Sequence, residues 1–231
     1  MKKYIIALVF GGVVFGAPAY ATTLDYRHEY LMDTHGHADR LKISHRLENN
    51  IGLSLEGKFA SKTGLFENNY STGTEAEINY VYPYSHNLSF EPAFIIDAAP
   101  DSTTYKGQVK ATWKINEPLY LAARYRYGYK GFTADKEDQH YSQYNFYVGY
   151  KFERVKVEYD FEYVDTDYAS LRGETNTYLH NLTIQVPING EWVPYAEIGY
   201  VPYTNEGKAD YDGLYNNDFQ TRIRVGIKYN F

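Results

Sequence analysis

Apolar and polar residues alternate strictly along the end of the chain: Ile223, Val225, Ile227, Tyr229 and Phe231 share one parity, and Arg222, Arg224 and Lys228 share the other. A period of two describes a strand with two unlike faces, and a chain that stops on an aromatic residue suits the closing strand of a transmembrane barrel. The same rhythm recurs upstream. It predicts strands over Thr23 to Leu31, His37 to Leu47, Ile51 to Phe59, Gly73 to Tyr82, Leu88 to Asp97 and Tyr105 to Ile115. Six more follow: Leu119 to Lys130, Tyr141 to Phe152, Arg154 to Val164, Asn176 to Val186, Trp192 to Val201 and Phe219 to Phe231. Twelve is the expected number; ten or fourteen also fit, because Tyr105 to Ile115 and Asn176 to Val186 alternate less cleanly.

The connections obey a second alternation. Glu48 to Asn50, Pro83 to Asn87, Asn116 to Pro118, Glu153 and Pro187 to Glu191 are short and rich in turn residues. Met32 to Gly36, Ala60 to Thr72, Ala98 to Thr104, Gly131 to His140, Asp165 to Thr175 and Pro202 to Asp218 are mostly longer. Short turns on one rim and long loops on the other are what an antiparallel up-and-down β-barrel of the bacterial outer membrane shows, and an even strand count puts both ends on the periplasmic rim. A soluble sandwich or lipocalin-like barrel is the alternative. It would have to leave Leu119, Leu121, Ala123, Tyr125, Tyr127 and Tyr129 on one solvated face, against the tendency of soluble surfaces to avoid such patches.

The start of the chain accounts for export. Lys2 and Lys3, the apolar run Tyr4 to Phe15 and the small-residue site Ala19-Tyr20-Ala21 form a secretory signal, removed after Ala21, with one barrel domain over 22–231. A retained anchor helix is the other reading, for which the run falls short of the ~20 residues a span needs. A mean hydropathy of -0.55 is what a wall lipid-facing at alternate residues produces, and 27 Tyr with 12 Phe supply interfacial girdles. There is no Cys, which excludes disulfides, thiolate metal sites and a cysteine nucleophile. The formal charge of -6 becomes -8 when Lys2 and Lys3 leave, so any basic site has to be local.

Parity sorts the charges. With the apolar register facing lipid, the lumen receives Arg27, then Arg40, Lys42 and Arg46, and from the last strand Arg222, Arg224 and Lys228. The sixth and seventh strands send in Lys106, Lys110, Lys114, Arg124, Arg126 and Lys130, about half a circumference away. Between these two basic stripes lie acidic positions: Glu56, Glu75, Glu77 and Glu91 on one side, and Glu158, Asp160, Glu162 and Glu197 on the other. Such charges can pair across strands as filler. Opposite-charge pairs of that kind stabilise a sheet by roughly 0.2 to 1 kcal/mol each, whereas basic residues set side by side, Arg124 and Arg126 near Lys110 and Lys114, or Arg222 and Arg224 near Arg40 and Arg46, carry a cost unless something anionic visits, and so predict a track for anions. Lumenal Tyr120, Tyr147 and Tyr195 serve as sugar-stacking platforms or as filler.

Several runs carry a resemblance. Asp25-Tyr26-Arg27-His28-Glu29, Asp39-Arg40-Leu41-Lys42-Ile43-Ser44-His45-Arg46 and Gly52-Leu53-Ser54 come first; Ala123-Arg124-Tyr125-Arg126-Tyr127, Trp192-Val193-Pro194-Tyr195-Ala196-Glu197 and Arg222-Ile223-Arg224-Val225-Gly226 follow in order. Together they make the mature chain resemble the oligogalacturonate-specific porins, the KdgM family. The resemblance implies a small monomeric twelve-stranded channel that passes acidic oligosaccharides between facing basic strips. It implies pore roles for Arg40, Lys42 and Arg46, for Arg124 and Arg126, and for Arg222 and Arg224; the lysines of the sixth strand rest on parity alone.

The expected partners are an acidic oligosaccharide, outer-membrane lipid and lipopolysaccharide, and the barrel assembly machinery, with no nucleic acid, cofactor or metal. Two rivals remain. A plugged adhesive barrel would act through its outer loops, of which Pro202 to Asp218 with Glu206, Asp210, Asp212 and Asp218 is the most acidic. A barrel hydrolase would use His28, His45 or His180 on the lipid face, but no Ser and acid are evident beside them, and His35 and His37 lack a third metal ligand.

Overall fold

The computed structural model describes residues 22–61, 64, 67–168, 174–202 and 219–231. The expected signal segment, residues 1–21, and the acidic stretch around Glu206, Asp210, Asp212 and Asp218 lie outside these residues. Twelve antiparallel strands make one closed barrel: β1 Thr22–Leu31, β2 His37–Arg46, β3 Ile51–Ser61, β4 Tyr70–Tyr80, β5 Leu88–Ala98 and β6 Ser102–Lys114. The others are β7 Leu119–Phe132, β8 Gln139–Phe152, β9 Val155–Thr166, β10 Asn176–Gln185, β11 Trp192–Pro202 and β12 Phe219–Asn230. Each strand pairs with the next, and β12 pairs with β1 from Asn230 opposite Thr23 to Arg222 opposite Leu31. The Phe231 N–H donates to the Thr22 carbonyl at 2.9 Å, so both ends share one rim.

The strands follow the expected order, and the differences have local causes. β4 begins at Tyr70 rather than near Gly73. Its ladder with β5 stops after Asn79 and resumes unshifted with Tyr82 opposite Phe90. Pro92, which has no N–H to give, falls opposite the gap, and the Val81 N–H turns instead to the Asn50 carbonyl at 3.1 Å. The outer loop expected over Ala98 to Thr104 shrinks to the three residues between Ala98 and Ser102, closed by an Ala99 N–H to Ser102 carbonyl bond of 2.9 Å.

Burial is inverted relative to a soluble protein. Apolar Leu41, Phe146 and Val225 are exposed on the outside, whereas Glu56, Lys106, Asn145 and Arg224 are buried within. Strand tilt adds a stagger. Directly opposed residues run from Asp25 through Lys42, Glu56, Glu75, Asp97, Thr104 and Lys130 to Gln139, from low on β1 to the outer end of β8. Lumenal neighbours therefore belong to one inclined line rather than to one rank of residues counted from the turns.

Candidate functional site: the charged lumen

Cross-strand register places the thirteen bases and eight acids assigned to the lumen above on the face opposite the apolar positions of their strands. Arg27 lies opposite Arg40, Lys42 opposite Glu56, Glu56 opposite Glu75, Glu91 opposite Lys110, and Lys110 opposite Arg124. What parity does not supply is pairing, because side chains of this length reach past their direct neighbours.

Six of the thirteen bases are engaged by carboxylates. Arg224 donates from Nε to Glu29 at 2.6 Å and from Nη1 to Glu197 at 2.9 Å, while Arg222 Nη2 reaches the same Glu197 oxygen at 3.1 Å. Lys106 bridges Glu75 at 2.9 Å and Asp97 at 2.7 Å, and Lys58 grips the same two acids from the other side at 3.2 and 2.8 Å. Arg40 binds Glu56 at 3.2 Å. Arg46 passes over β3 and β4 to Glu91 on β5 at 3.4 Å and gives its other amine to the Asn50 carbonyl. Arg124 stands 3.8 Å from Glu162, with buried Asn145 between them: Arg124 donates to the Asn145 Oδ1, and the Asn145 amide donates to Asp160 and Glu162.

These contacts correct the expectation that Arg222 and Arg224 crowd Arg40 and Arg46. β1 stands between β12 and β2, and its Glu29 takes up the charge of both seam arginines. On the opposite wall, Arg126 faces neutral Gln108 rather than a lysine, and Lys114 faces Tyr120. The acidic positions do not stand as separate walls, because Glu56, Glu75, Glu91 and Glu197 are each held by a base from the stripes or by Lys58. The neutral amides Gln108, Gln143, Asn145 and Asn181, which carry much of the network, were passed over although they share the lumenal parity of their strands.

The remaining seven bases are Arg27, Lys42, Lys110, Lys114, Arg126, Lys130 and Lys228, and among the described residues none has a carboxylate in ion-pair range. They fall in two groups. Arg27, Lys42 and Lys228 occupy the contiguous strands β12, β1 and β2; Lys110, Lys114, Arg126 and Lys130 occupy β6 and β7. β1 and β7 are six strands apart in a ring of twelve, so the groups face one another. Each group sets one member directly opposite a carboxylate-held base, Arg27 opposite Arg40 and Lys110 opposite Arg124, and among the described residues the Arg27 Nε is buried without an acceptor.

The tyrosines are occupied. Lys110 Nζ lies 4.6 Å from the Tyr147 ring centre, with Arg124 at 5.8 Å; Lys228 lies 5.1 Å from Tyr195, and Lys156 5.1 Å from Tyr120. Tyr120 is laid against Gly149 and Tyr195 against Gly226, where a Cβ would collide with the ring. Tyr120 also donates its hydroxyl proton to Glu158, and Tyr195 donates to Asp25 at 2.8 Å. A ring with glycine behind it and a cation on its open face presents the cation to the lumen, not a stacking platform.

The outer wall holds one acid that the sequence reading missed. Asp39 shares the parity of Leu41 and Ile43; its Oδ1 accepts from the Tyr26 hydroxyl at 2.6 Å and pairs with His28 Nδ1 at 2.9 Å. His28 thus has an acid neighbour, contrary to expectation, but its other nitrogen meets His37 Nδ1 at 3.2 Å. Among the described residues no three or more His, Cys, Asp or Glu side chains gather as a metal site.

Comparison with known proteins agrees with this architecture. The KdgM porin of Dickeya dadantii is 30% identical over 255 residues, covering 100% of both chains. The N-acetylneuraminic acid outer membrane channel protein NanC of Escherichia coli K12 is 24% identical over 250 residues, covering 99% of each. The solved KdgM porin superposes with a TM-score of 0.67 at 28% identity over 90% of this chain and 99% of its own, and the KdgM porin solved in complex with disordered oligogalacturonate gives 0.66. These are channels rather than enzymes, and the model of the family described as oligogalacturonate-specific porin protein matches residues 15–231. A closed twelve-stranded barrel with a charged lumen, matched to that model over nearly its whole length, belongs to the KdgM family of outer-membrane porins.

Proposed function

We propose that this porin passes anionic oligosaccharides by passive diffusion between two facing groups of uncompensated bases. The observation that carries the reading is the division of the thirteen bases. The six held by carboxylates are frame, and the seven without carboxylates gather on β12, β1 and β2 and on β6 and β7. Like charges held side by side in a narrow lumen raise the local concentration of a visiting anion, and low-dielectric walls strengthen the field. A sugar carboxylate loses part of its hydration, exchanges from one lysine or arginine to the next, and leaves because no single site closes around it. Two named relatives differ in cargo, oligogalacturonate and N-acetylneuraminic acid, but both cargoes carry carboxylates. That shared group supports the class of acidic sugars. Guanidinium and ammonium contacts suit it, Arg126 by its planar fork and the lysines as point charges.

The same reading has the chain acting as a monomer after loss of residues 1–21, inserted by the barrel assembly machinery among lipid and lipopolysaccharide, and needing no cofactor. The test is a planar bilayer comparison with the double variant Lys42→Glu and Arg126→Glu, one residue from each group and neither in an ion pair among the described residues. The parent should prefer anions and the variant should lose or reverse that preference. Liposome uptake should favour oligogalacturonate or sialic acid over a neutral oligosaccharide of equal size. An unchanged selectivity in the double variant overturns the two-track reading, and an absence of single-channel current overturns the channel.

A further inference from the structure

Asp25 stands inside one of the two basic groups without pairing to any member of it. It faces the lumen from β1, directly opposite Lys42 on β2 and Lys228 on β12, and Arg27 follows two residues along the same face. Three of the seven bases without carboxylates therefore surround one carboxylate. Among the described residues none of the three comes within ion-pair range of it. Lys42 also faces Glu56, but that acid is held by Arg40 at 3.2 Å. Asp25, Arg27, Lys42 and Lys228 are all half-buried, so the lumen reaches each of them.

What holds Asp25 is Tyr195, whose hydroxyl donates to its Oδ1 at 2.8 Å. Tyr195 reaches it from β11 by crossing β12 over Gly226, where any Cβ would collide with the ring, and Lys228 Nζ lies 5.1 Å from the ring centre. A similar arrangement crosses β8, where Tyr120 lies over Gly149, donates to Glu158 on β9 and carries Lys156 at 5.1 Å from its ring. There the lysine also pairs with the acid, Lys156 to Glu158 at 3.4 Å. At Asp25 neither lysine does, and the tyrosine holds the carboxylate apart from the cations around it.

Such a carboxylate has a consequence for an anion in transit. Opposite charges attract more strongly in a lumen of low dielectric than in water, and a pore conducts only when its cargo binds weakly enough to leave. Three bases with no acid among them would trap a sugar carboxylate. One resident acid leaves the group net positive, which still draws an anion in, and gives the bases a second partner as the anion departs. We propose that Asp25 is the release residue of the track on β12, β1 and β2, competing with the cargo for Arg27, Lys42 and Lys228. Tyr195 is its positioning residue, and keeps it from closing on a lysine and shutting the track. This rests on the transport reading above and adds to it the group that sets how long a sugar stays.

The experiment records single channels of the refolded full chain in planar bilayers with oligogalacturonate added, and reads the mean duration of the blockades. Asp25→Asn keeps an oxygen for the Tyr195 hydroxyl and removes the charge. A unit charge about 7 Å away, two residues along a strand, alters carboxylate affinity by about threefold in water and by more at lower dielectric, so blockades should lengthen by about threefold to tenfold. Tyr195→Phe keeps the ring beneath Lys228 and the charge count but releases Asp25 towards the lysines, so blockades should shorten and anion preference should fall. A role in folding alone would not move the two variants in opposite directions. Heat-modifiable gel mobility reports which variants are folded, and Tyr195→Phe decides the matter if Asp25→Asn is not. Blockades that stay the same or shorten in folded Asp25→Asn, or stay the same or lengthen in folded Tyr195→Phe, overturn the proposal and leave the transport reading standing. A parent without oligogalacturonate blockades overturns the transport reading and the proposal with it.

Discussion

If six lumenal bases are frame and seven are track, removing one of each should damage different properties. Arg224 and Lys42 make the sharpest pair. The Arg224 side chain is 10% exposed and bonds Glu29 and Glu197, themselves 17% and 12% exposed. Arg224→Gln leaves two nearly buried carboxylates with Arg222, which is 3.1 Å from Glu197 but 3.9 Å from Glu29. Breaking a buried pair from one side costs about 3 to 5 kcal/mol. Because Arg222 still compensates Glu197, the expected loss lies at the low end, about 3 kcal/mol, more than a hundredfold in the folding equilibrium. Among the described residues Lys42 has no carboxylate in ion-pair range, so Lys42→Gln should change stability by no more than about 0.5 kcal/mol. Urea titration of each variant in phospholipid vesicles, read by the heat-modifiable gel mobility of folded barrels, measures the difference. Conductance should report the reverse, with Lys42→Gln losing anion preference and any folded Arg224→Gln keeping most of it. Equal stability losses in the two variants would refute the division into frame and track.

Three further outcomes follow from the same contacts. Charge reversal at Lys42 and Arg126 together should abolish or invert anion preference in planar bilayers, with the effect shrinking as salt shortens the screening length from about 10 Å at 0.1 M. Glu75→Gln should cost only about 1 to 2 kcal/mol by the same urea titration, because Asp97 still holds Lys58 and Lys106 at 2.8 and 2.7 Å, and it should raise anion conductance by freeing positive charge. Gly149→Val should push the Tyr120 ring off the wall into the lumen and lower single-channel conductance, whereas Gly107→Ala, with open space around its Cβ position, should leave conductance as it was.

Strand number, order and inward parity could be read from the sequence because each depends on a period of two, which a one-residue slip would turn inside out. The shared parity of Arg222, Arg224 and Lys228 is of this local kind. Where the strands begin and end was less legible: the loop expected over Ala98 to Thr104 was mostly ladder, since polar Ser102, Thr103 and Thr104 sit as comfortably in a barrel rim as in a loop. Pairing was not legible at all. It depends on tilt and closure, which bring Glu29 and Glu197 to Arg224 from residues 195 and 27 positions away, and on reach, which takes Arg46 across two strands to Glu91. The sequence by itself therefore determined which charges share the face opposite the apolar one. Only the closed tertiary structure decided which of them are neutralised there, because ion pairing acts over a few ångströms in space and those distances exist only once β12 has met β1.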